Sequence, residues 1–346
     1  MTRPICAVDF TTNSINVLLQ RGPDRVEGTA ALLPSEAIED GKILQPVAVQ
    51  LFLSKMLKEL GVVKPEIRLC LSDSACVSRF LDYPQMPTKD LEQSLRIEAG
   101  RELPVSPHKA YLGWQVLDEQ AARRRVLLVA AWRDVVEGYL QSAQGLGRVT
   151  VLEPRALALA RAVGLPDSTV VEWADDRLQV TQVQDRLVQY TTSVAVRNGA
   201  GSSSSQLLRL LTSLMPTVGV RRPQLTGVVL LGKLHGREDI EQAFREAGAD
   251  EHALPTRWEL PVSYRQFAGT AQMANVGLLM RNCGGQRQGD GRLPGDQLYS
   301  RPRACPSRLA ESPRAVLDRP GGGDGNPDRH HGDSTCSDPV GEAMTR

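Results

Sequence analysis

Residues 83–107 read YPQMPTKDLEQSLRIEAGRELPVSP. Thr88 is placed to cap a helix. From it Leu91, Leu95, Ala99 and Leu103 recur every four residues, one apolar stripe on an otherwise charged surface. Pro104 stops the pattern, because the residue before proline disfavours the helical region. A helix apolar on one side needs a sheet to lie on. The flanking stretches supply strands: EIRLCLS and CVSRFLDYP before it, KAYLGWQVLD and RRVLLVAAWR after it. The last is a nearly unbroken apolar run, as a strand covered on both faces requires.

Further upstream, residues 5–34 alternate with period two and predict three antiparallel strands, ICAVDF, SINVLLQ and RVEGTAALLP. QPVAVQLFLSKMLKEL predicts a helix burying Val49, Leu53, Met56, Leu57 and Leu60, with Gly61 as its stop. Downstream, residues 133–145 and 154–163 predict helices around the strand RVTVLE. Three further strands open at Ser168: STVVEW, RLQVTQVQ and RLVQYTTSVAV. They weakly repeat the opening pattern, which predicts two related lobes with a cleft between them. A helix at 204–215, the strand GVVLLG, a helix REDIEQAFREAG and a final helix QFAGTAQMANVGLLMR complete the reading.

The chain has 346 residues, 41% hydrophobic and 23% charged, with a formal net charge of +1. That is enough for two domains and a sizeable core. The charge balance gives no argument for nucleic acid or an anionic membrane as partner. No apolar run approaches the roughly 18 residues a membrane span needs, and the N-terminus has no signal-peptide layout. The expectation is a cytoplasmic protein. None of the six cysteines forms a C-x-x-C or other metal spacing, so reduced, buried thiols are expected and no metal site is assigned. No Ser-His-Asp set or Walker loop is present. Residues 283–346 hold 11 Gly, 7 Pro, 9 Arg, 9 acids and no Lys. That composition predicts a disordered tail, and it also matches an out-of-frame reading of GC-rich DNA.

The opening stretch resembles the PilM family, the actin-like cytoplasmic proteins of type IV pilus assembly. The likeness is carried by Met86-Pro87, by Leu95-Arg96-Ile97-Glu98-Ala99 and by Leu103-Pro104. AIEDGKILQPVAVQLFLSKML, VLLVAAWRDVVEGYL and VLEPRALALARAVG extend it over about residues 5–165. It weakens from 168 to 281 and is absent beyond. The resemblance implies an α/β, actin-like (ribonuclease H-like) fold of two lobes with an extra subdomain of the type found in the cell-division protein FtsA. Residues 1–165 form the first lobe, with the extra subdomain at about 37–120; residues 166–282 form a second lobe; residues 283–346 form the tail. Only about 30 residues separate Val196 from Gly227, so the second lobe reads as shortened.

The resemblance also implies ATP with Mg²⁺ held between the lobes by three glycine-marked turns. Here the first turn, Asp9, Thr11, Thr12, Asn13, Ser14 and Asn16, keeps the acid. Thr11 stands where glycine is usual, and Asn16 stands where lysine is. In the second turn Glu172 replaces Asp, Trp173 follows and Ala174 replaces Gly, with Asp175 and Asp176 adding repulsion toward phosphate. In the third turn Gly232 is kept and Lys233 takes the second glycine position. On their own, Asp9 reads equally as an acceptor for turn amides, Glu172 as a solvated strand-end acid, and Lys233 and His235 as loop residues. The degenerate turns make ATP and Mg²⁺ weak ligands at best, and no catalytic residue is assigned.

The resemblance therefore implies a scaffold, a pseudo-ATPase that binds the cytoplasmic N-terminal segment of a PilN-like single-pass membrane protein. It would meet pilus or related type II secretion platform and motor proteins, and reach the inner face of the membrane only through partners. The alternative is a nucleotide-switched ATPase in the same machinery. Val77, Arg79, Phe80, Leu81, Tyr83 and Met86, along CVSRFLDYPQMP, are the candidate peptide-binding edge.

Overall fold

The computed structural model describes residues 3–22, 25–102, 109–119, 123–174, 177–196, 227–246, 260 and 262–281. Ile5–Phe10 (β1), Ser14–Gln20 (β2) and Val26–Leu32 (β3) form the expected antiparallel meander. Glu66–Leu71 (β6) then runs parallel to β1, and Arg148–Pro154 (β10) runs parallel to β6. The resulting sheet has the order β10-β6-β1-β2-β3. β1 is central and buried along nearly its whole length.

The same topology recurs. Ser168–Ala174 (β11), Arg177–Gln184 (β12) and Leu187–Ala195 (β13) form a second meander, and Val228–Gly232 (β14) lies parallel to β11. This sheet has the order β13-β12-β11-β14. The weak repeat in the sequence is thus a repeat of strand order. It sets β1 and β11 in equivalent places.

Between β3 and β6 a two-residue hairpin joins Ile38–Glu39 (β4) to Lys42–Ile43 (β5). Its turn residues, Asp40 and Gly41, both have positive φ, 45° and 78°, as a type I′ turn demands. A Cβ on Gly41 would lie 2.5 Å from the Ser72 side chain. The Asp-Gly of the sequence is therefore needed for both turn and packing. Pro46 then opens helix α1, Pro46–Glu59, at a position where its missing N–H has no partner to lose. Val49, Leu53, Met56 and Leu57 of α1 are buried against Val8, Ile15 and Leu69 of the first sheet.

Cys76–Pro84 (β7), Ala110–Glu119 (β8) and Arg123–Trp132 (β9) make a separate three-stranded antiparallel sheet of order β7-β9-β8. Helix α2, Thr88–Glu102, lies on it with Leu91, Leu95 and Ala99 against Val126, Leu128 and Ala130. Leu103 is outside the described residues. Thr88 does not cap α2. It is the first helical residue, and the Pro87 carbonyl accepts from the amides of Asp90 and Leu91.

Arg133–Ser142 (α3) and Arg155–Val163 (α4) follow. Glu238–Glu246 (α5) belongs to the second lobe. The expected final helix is broken: Val262–Phe267 is a 3-10 turn and only Met273–Met280 (α6) is α-helical. Gly269, at φ +70°, makes the break, and its carbonyl accepts from the Gly232 amide. Helices α4 and α6 lie between the two main sheets. Leu159, Val163, Met273 and Val276 share a core with Ala7 and Leu18 of the first lobe and Val170 and Leu231 of the second. The helix expected at 204–215, and with it the shortened wall of the second lobe, lies outside the described residues, as does the tail.

Candidate functional site

The repeat brings the two acids of the phosphate turns together. Asp9 is the fifth residue of β1 and Glu172 the fifth of β11. Both side chains are fully buried. Arg155, the first residue of α4, lies between them. Its Nε donates to Asp9 Oδ2 at 2.9 Å, and its Nη2 donates to Glu172 Oε1 at 2.8 Å. Nη1 donates to the other Glu172 oxygen, completing a forked pair. Arg155 is itself buried. Glu172, read from the sequence as a solvated strand-end acid, is instead one half of a bridge between the lobes.

The first turn satisfies itself. The Thr11 amide donates to the Ser14 carbonyl at 2.9 Å, and the Thr11 and Ser14 hydroxyls lie 2.7 Å apart. The Ser14 amide donates to Thr11 Oγ1 at 3.2 Å. Asn13 is exposed and gives its carbonyl to the Leu33 amide; Thr12 is half-buried. Asn16, opposite Asp9 in the β1–β2 ladder, is buried, and its carbonyl accepts from Asn275 Nδ2 of α6 at 2.9 Å. The Thr11 and Ser14 hydroxyls and the Thr11 and Ser14 amides, donors that a phosphate would need, are already used within the hairpin.

At the third turn Gly232 has φ +65°, and a Cβ there would lie 2.3 Å from the Trp173 carbonyl oxygen. This glycine is required by the contact between β14 and β11. Lys233 stands 5.6 Å from the Trp173 ring centroid, a cation–π contact. His235 packs against Gly269, where a Cβ would meet its ring at 2.1 Å.

Asp73 adds a second tie between the lobes. Its carboxylate accepts from the Ala156 amide in the first turn of α4, at 3.0 and 3.1 Å, and from Gln179 Nε2 of β12 at 2.9 Å. A third tie, Arg177 to Asp40 at 3.1 Å, is at the surface and contributes little. Burial pushes the Asp9 carboxyl above its ordinary value, with Arg155 opposing. Burial also pushes Asp73 up to about 6, against the pull of the Ala156 amide and Arg155.

A carboxyl raised in the fold stabilises it fully below its unfolded value near 4, and that stability is lost as pH rises through about 6. Asp73 is half-buried, so the change amounts to about 1–2 kcal/mol. Asp73→Asn should therefore gain on the wild type by about 2–3 °C in melting temperature between pH 4.5 and 7. Parallel pH profiles for the two proteins would show that Asp73 does not titrate in this range.

Among the candidate peptide-edge residues, Val77, Leu81, Tyr83 and Met86 pack into the core under α2, while Phe80 packs on the other side of the small sheet. Arg79 is exposed, and Arg125 lies 5.1 Å over the Phe80 ring. β7 is an edge strand whose outer backbone is unpaired among the described residues. A second opening was not legible in the sequence. Tyr111 of β8, Val136 and Leu140 of α3, and Val149–Leu152 of β10 line an apolar trough of about 110 Å³. It continues past Leu140 into a shallower depression beside Gln141, Gln144 and Gly147. Here the edge of the first sheet faces the edge of the small sheet. β10 has a bulge at Thr150, a device that re-aims an edge strand.

No protein-family profile matches the chain, and no curated protein matches it. Solved structures do. The PilM-PilN type IV pilus biogenesis complex matches with a TM-score of 0.63 and 17% identity, over 80% of this chain and 98% of that one. The cytoplasmic domain of EpsL, an inner membrane component of the type II secretion system of Vibrio cholerae, matches with a TM-score of 0.44 and 13% identity, over 74% and 100%. The ethanolamine utilization protein EutJ from Carboxydothermus hydrogenoformans matches with a TM-score of 0.44 and 8% identity, over 80% and 89%. Strand order, the repeated lobes and the first of these matches agree: the chain has a PilM-like actin-type ATPase fold.

Proposed function

We propose that this protein is a cytoplasmic scaffold of a type IV pilus or related type II secretion platform. It holds the N-terminal cytoplasmic segment of a PilN-like single-pass membrane protein, and so reaches the membrane through its partner. The observation that carries this reading is the trough between β8 and β10. An extended peptide laid against β10 would gain main-chain hydrogen bonds from the open edge, and its alternate side chains would enter the apolar trough. The solved PilM-PilN complex, similar in fold, supports a partner of that kind. No helix among the described residues is long and apolar enough to cross a membrane, which suits a protein recruited by a tethered peptide.

The alternative, a nucleotide-switched ATPase, needs phosphate turns that accept a ligand. Thr11, Ala174 and Lys233 stand against it. Pilus motor proteins remain proposed partners on the same reading.

The seat is tested by photo-crosslinking. Benzoylphenylalanine in place of Tyr111 should capture a synthetic PilN-like N-terminal peptide, and the same probe in place of Arg79 should not. Capture from Arg79 alone would move the seat to the β7 edge; capture from neither would overturn the reading. Leu140→Asp should weaken the peptide by about 30-fold or more, the cost of setting a charge in an apolar contact.

A further inference from the structure

An actin-type fold implies a metal–nucleotide complex between the lobes, with the cation and the phosphate amides facing the two turn acids. The residues present do not fit that group. The space between Asp9 and Glu172 is taken by the chain's own guanidinium, which uses Nε, Nη1 and Nη2 on the two acids. Thr11 and Ser14 bond to one another, and Asn16, buried beside Asp9 in the ladder, brings no positive charge.

The placement of Arg155 is itself informative. A cation in the first turn of a helix lies at the positive end of the helix dipole, where acids are preferred. It is also buried, where an unpaired charge is costly. Only close carboxylates offset both terms. Asp9 comes from the same lobe, Glu172 from the other. Asp73 accepts from the amide of Ala156, the residue after Arg155, and from Gln179 of the second lobe, so a third acid sits at the α4 N-terminus. A bound phosphate would meet these acids with the same sign of charge, and a metal would meet a cation already seated.

We propose that Arg155 is a built-in counter-cation: it occupies the place of the metal–phosphate group, closes the two lobes without a nucleotide, and leaves a guanidinium-sized cation site when its side chain is removed. This does not rest on where a partner peptide sits. The ligand class of the uncovered site is a small planar cation able to fork onto Glu172 and reach Asp9. An ammonium ion lacks that geometry.

The test is thermal unfolding with chemical rescue. Arg155→Ala should melt about 5–8 °C below the wild type, because two buried acids lose their partner. Guanidinium chloride at about 20 mM should restore at least a third of that loss in the variant, while sodium chloride and urea at the same concentration should not. The wild type should gain nothing from guanidinium. Arg155→Lys should remain well below the wild type and should not respond. Equal effects of guanidinium and sodium on Arg155→Ala would overturn the proposal, and so would Arg155→Lys melting like the wild type. If Arg155→Ala does not fold in either salt, wild-type melting in about 5 mM Mg-ATP decides. No shift supports an occupied site, and a rise of several degrees shows that nucleotide can enter.

Discussion

Gly277→Ala should lower the melting temperature by about 5 °C, although it adds one methyl group to a helix. A Cβ at Gly277 would lie 1.8 Å from the Ala158 carbonyl oxygen and 2.5 Å from its carbon. Those are backbone atoms of α4 and cannot rotate aside. The helices would have to separate, and α6 is held by Met273, Ala274, Val276, Leu278 and Leu279, all buried between the two lobes. Overpacking in a fixed core costs about 1–3 kcal/mol and more where backbones collide. The better helix propensity of alanine returns about 1 kcal/mol. A net cost of about 3 kcal/mol corresponds to roughly 5 °C in a chain of this size. Gly145 serves as the control: at φ +76° with nothing within 4 Å of a built Cβ, its alanine variant should lose only about 1–2 °C through backbone strain. Similar losses at the two sites, followed by circular dichroism, would mean that α4 and α6 are not in backbone contact.

Glu153→Ala should cost as much by a different route. Glu153 is fully buried at the end of β10. It accepts from Arg161 Nη1 at 2.7 Å and Nη2 at 3.1 Å, and from Arg281 Nη1 at 2.7 Å. Arg161 also donates to the Gly277 carbonyl at 3.0 Å, and Arg68 donates to the Leu278 carbonyl at 2.8 Å. One carboxylate thus pins the C-terminal end of α6 to the first lobe through a fan of arginines. Removing it leaves buried guanidinium groups without their counter-charge, a loss of about 3–5 kcal/mol.

Burial pushes the Glu153 carboxyl up, but Arg161 and Arg281 outweigh it and hold the group below its ordinary value. Its contribution is therefore present above about pH 4.5 and lost as pH falls through the lowered value, the opposite sign to Asp73. Glu153→Gln should lose less stability than the wild type on acidification. If Glu153→Ala melted within about 2 °C of the wild type, the fan would be an ornament of the fold rather than its anchor.

These two sites show where the sequence was legible and where it was not. The strands β1–β3 and β11–β13 were readable because period-two alternation is a local property. So was the burial of Val49, Leu53, Met56 and Leu57 on one face of α1. The Asp40-Gly41 turn and Pro46 could be matched to a family pattern before their geometry was known. Thr88 was misread as a cap because the pattern shows only that a hydroxyl precedes the helix, whereas the Pro87 carbonyl takes the bonds. The broken final helix turned on Gly269, whose positive φ is fixed by a contact with Gly232.

The site was half legible. Asp9 and Glu172 were placed in the first and second phosphate turns by the resemblance to a known family; that they occupy matching strand positions is a finding of the structure. Their partner Arg155 lies 146 residues from Asp9 in the chain, and no local period reports such a contact. One signal was there: an arginine in the first turn of a helix, against the dipole, in the run PRALALARAV, apolar apart from it and Arg161. Gly277 gave no signal, because its neighbour Ala158 is distant in sequence and meets it only through backbone atoms.

In the proposed partner-binding scaffold the lobes are closed by Arg155 and not by a nucleotide. The most direct test is calorimetric titration of the PilN-like N-terminal peptide into the full chain, once in buffer and once in Mg-ATP. The dissociation constant should be the same, within about twofold, in both. Binding that appears only with Mg-ATP, or tightens tenfold in it, a coupling of about 1.4 kcal/mol, would contradict it.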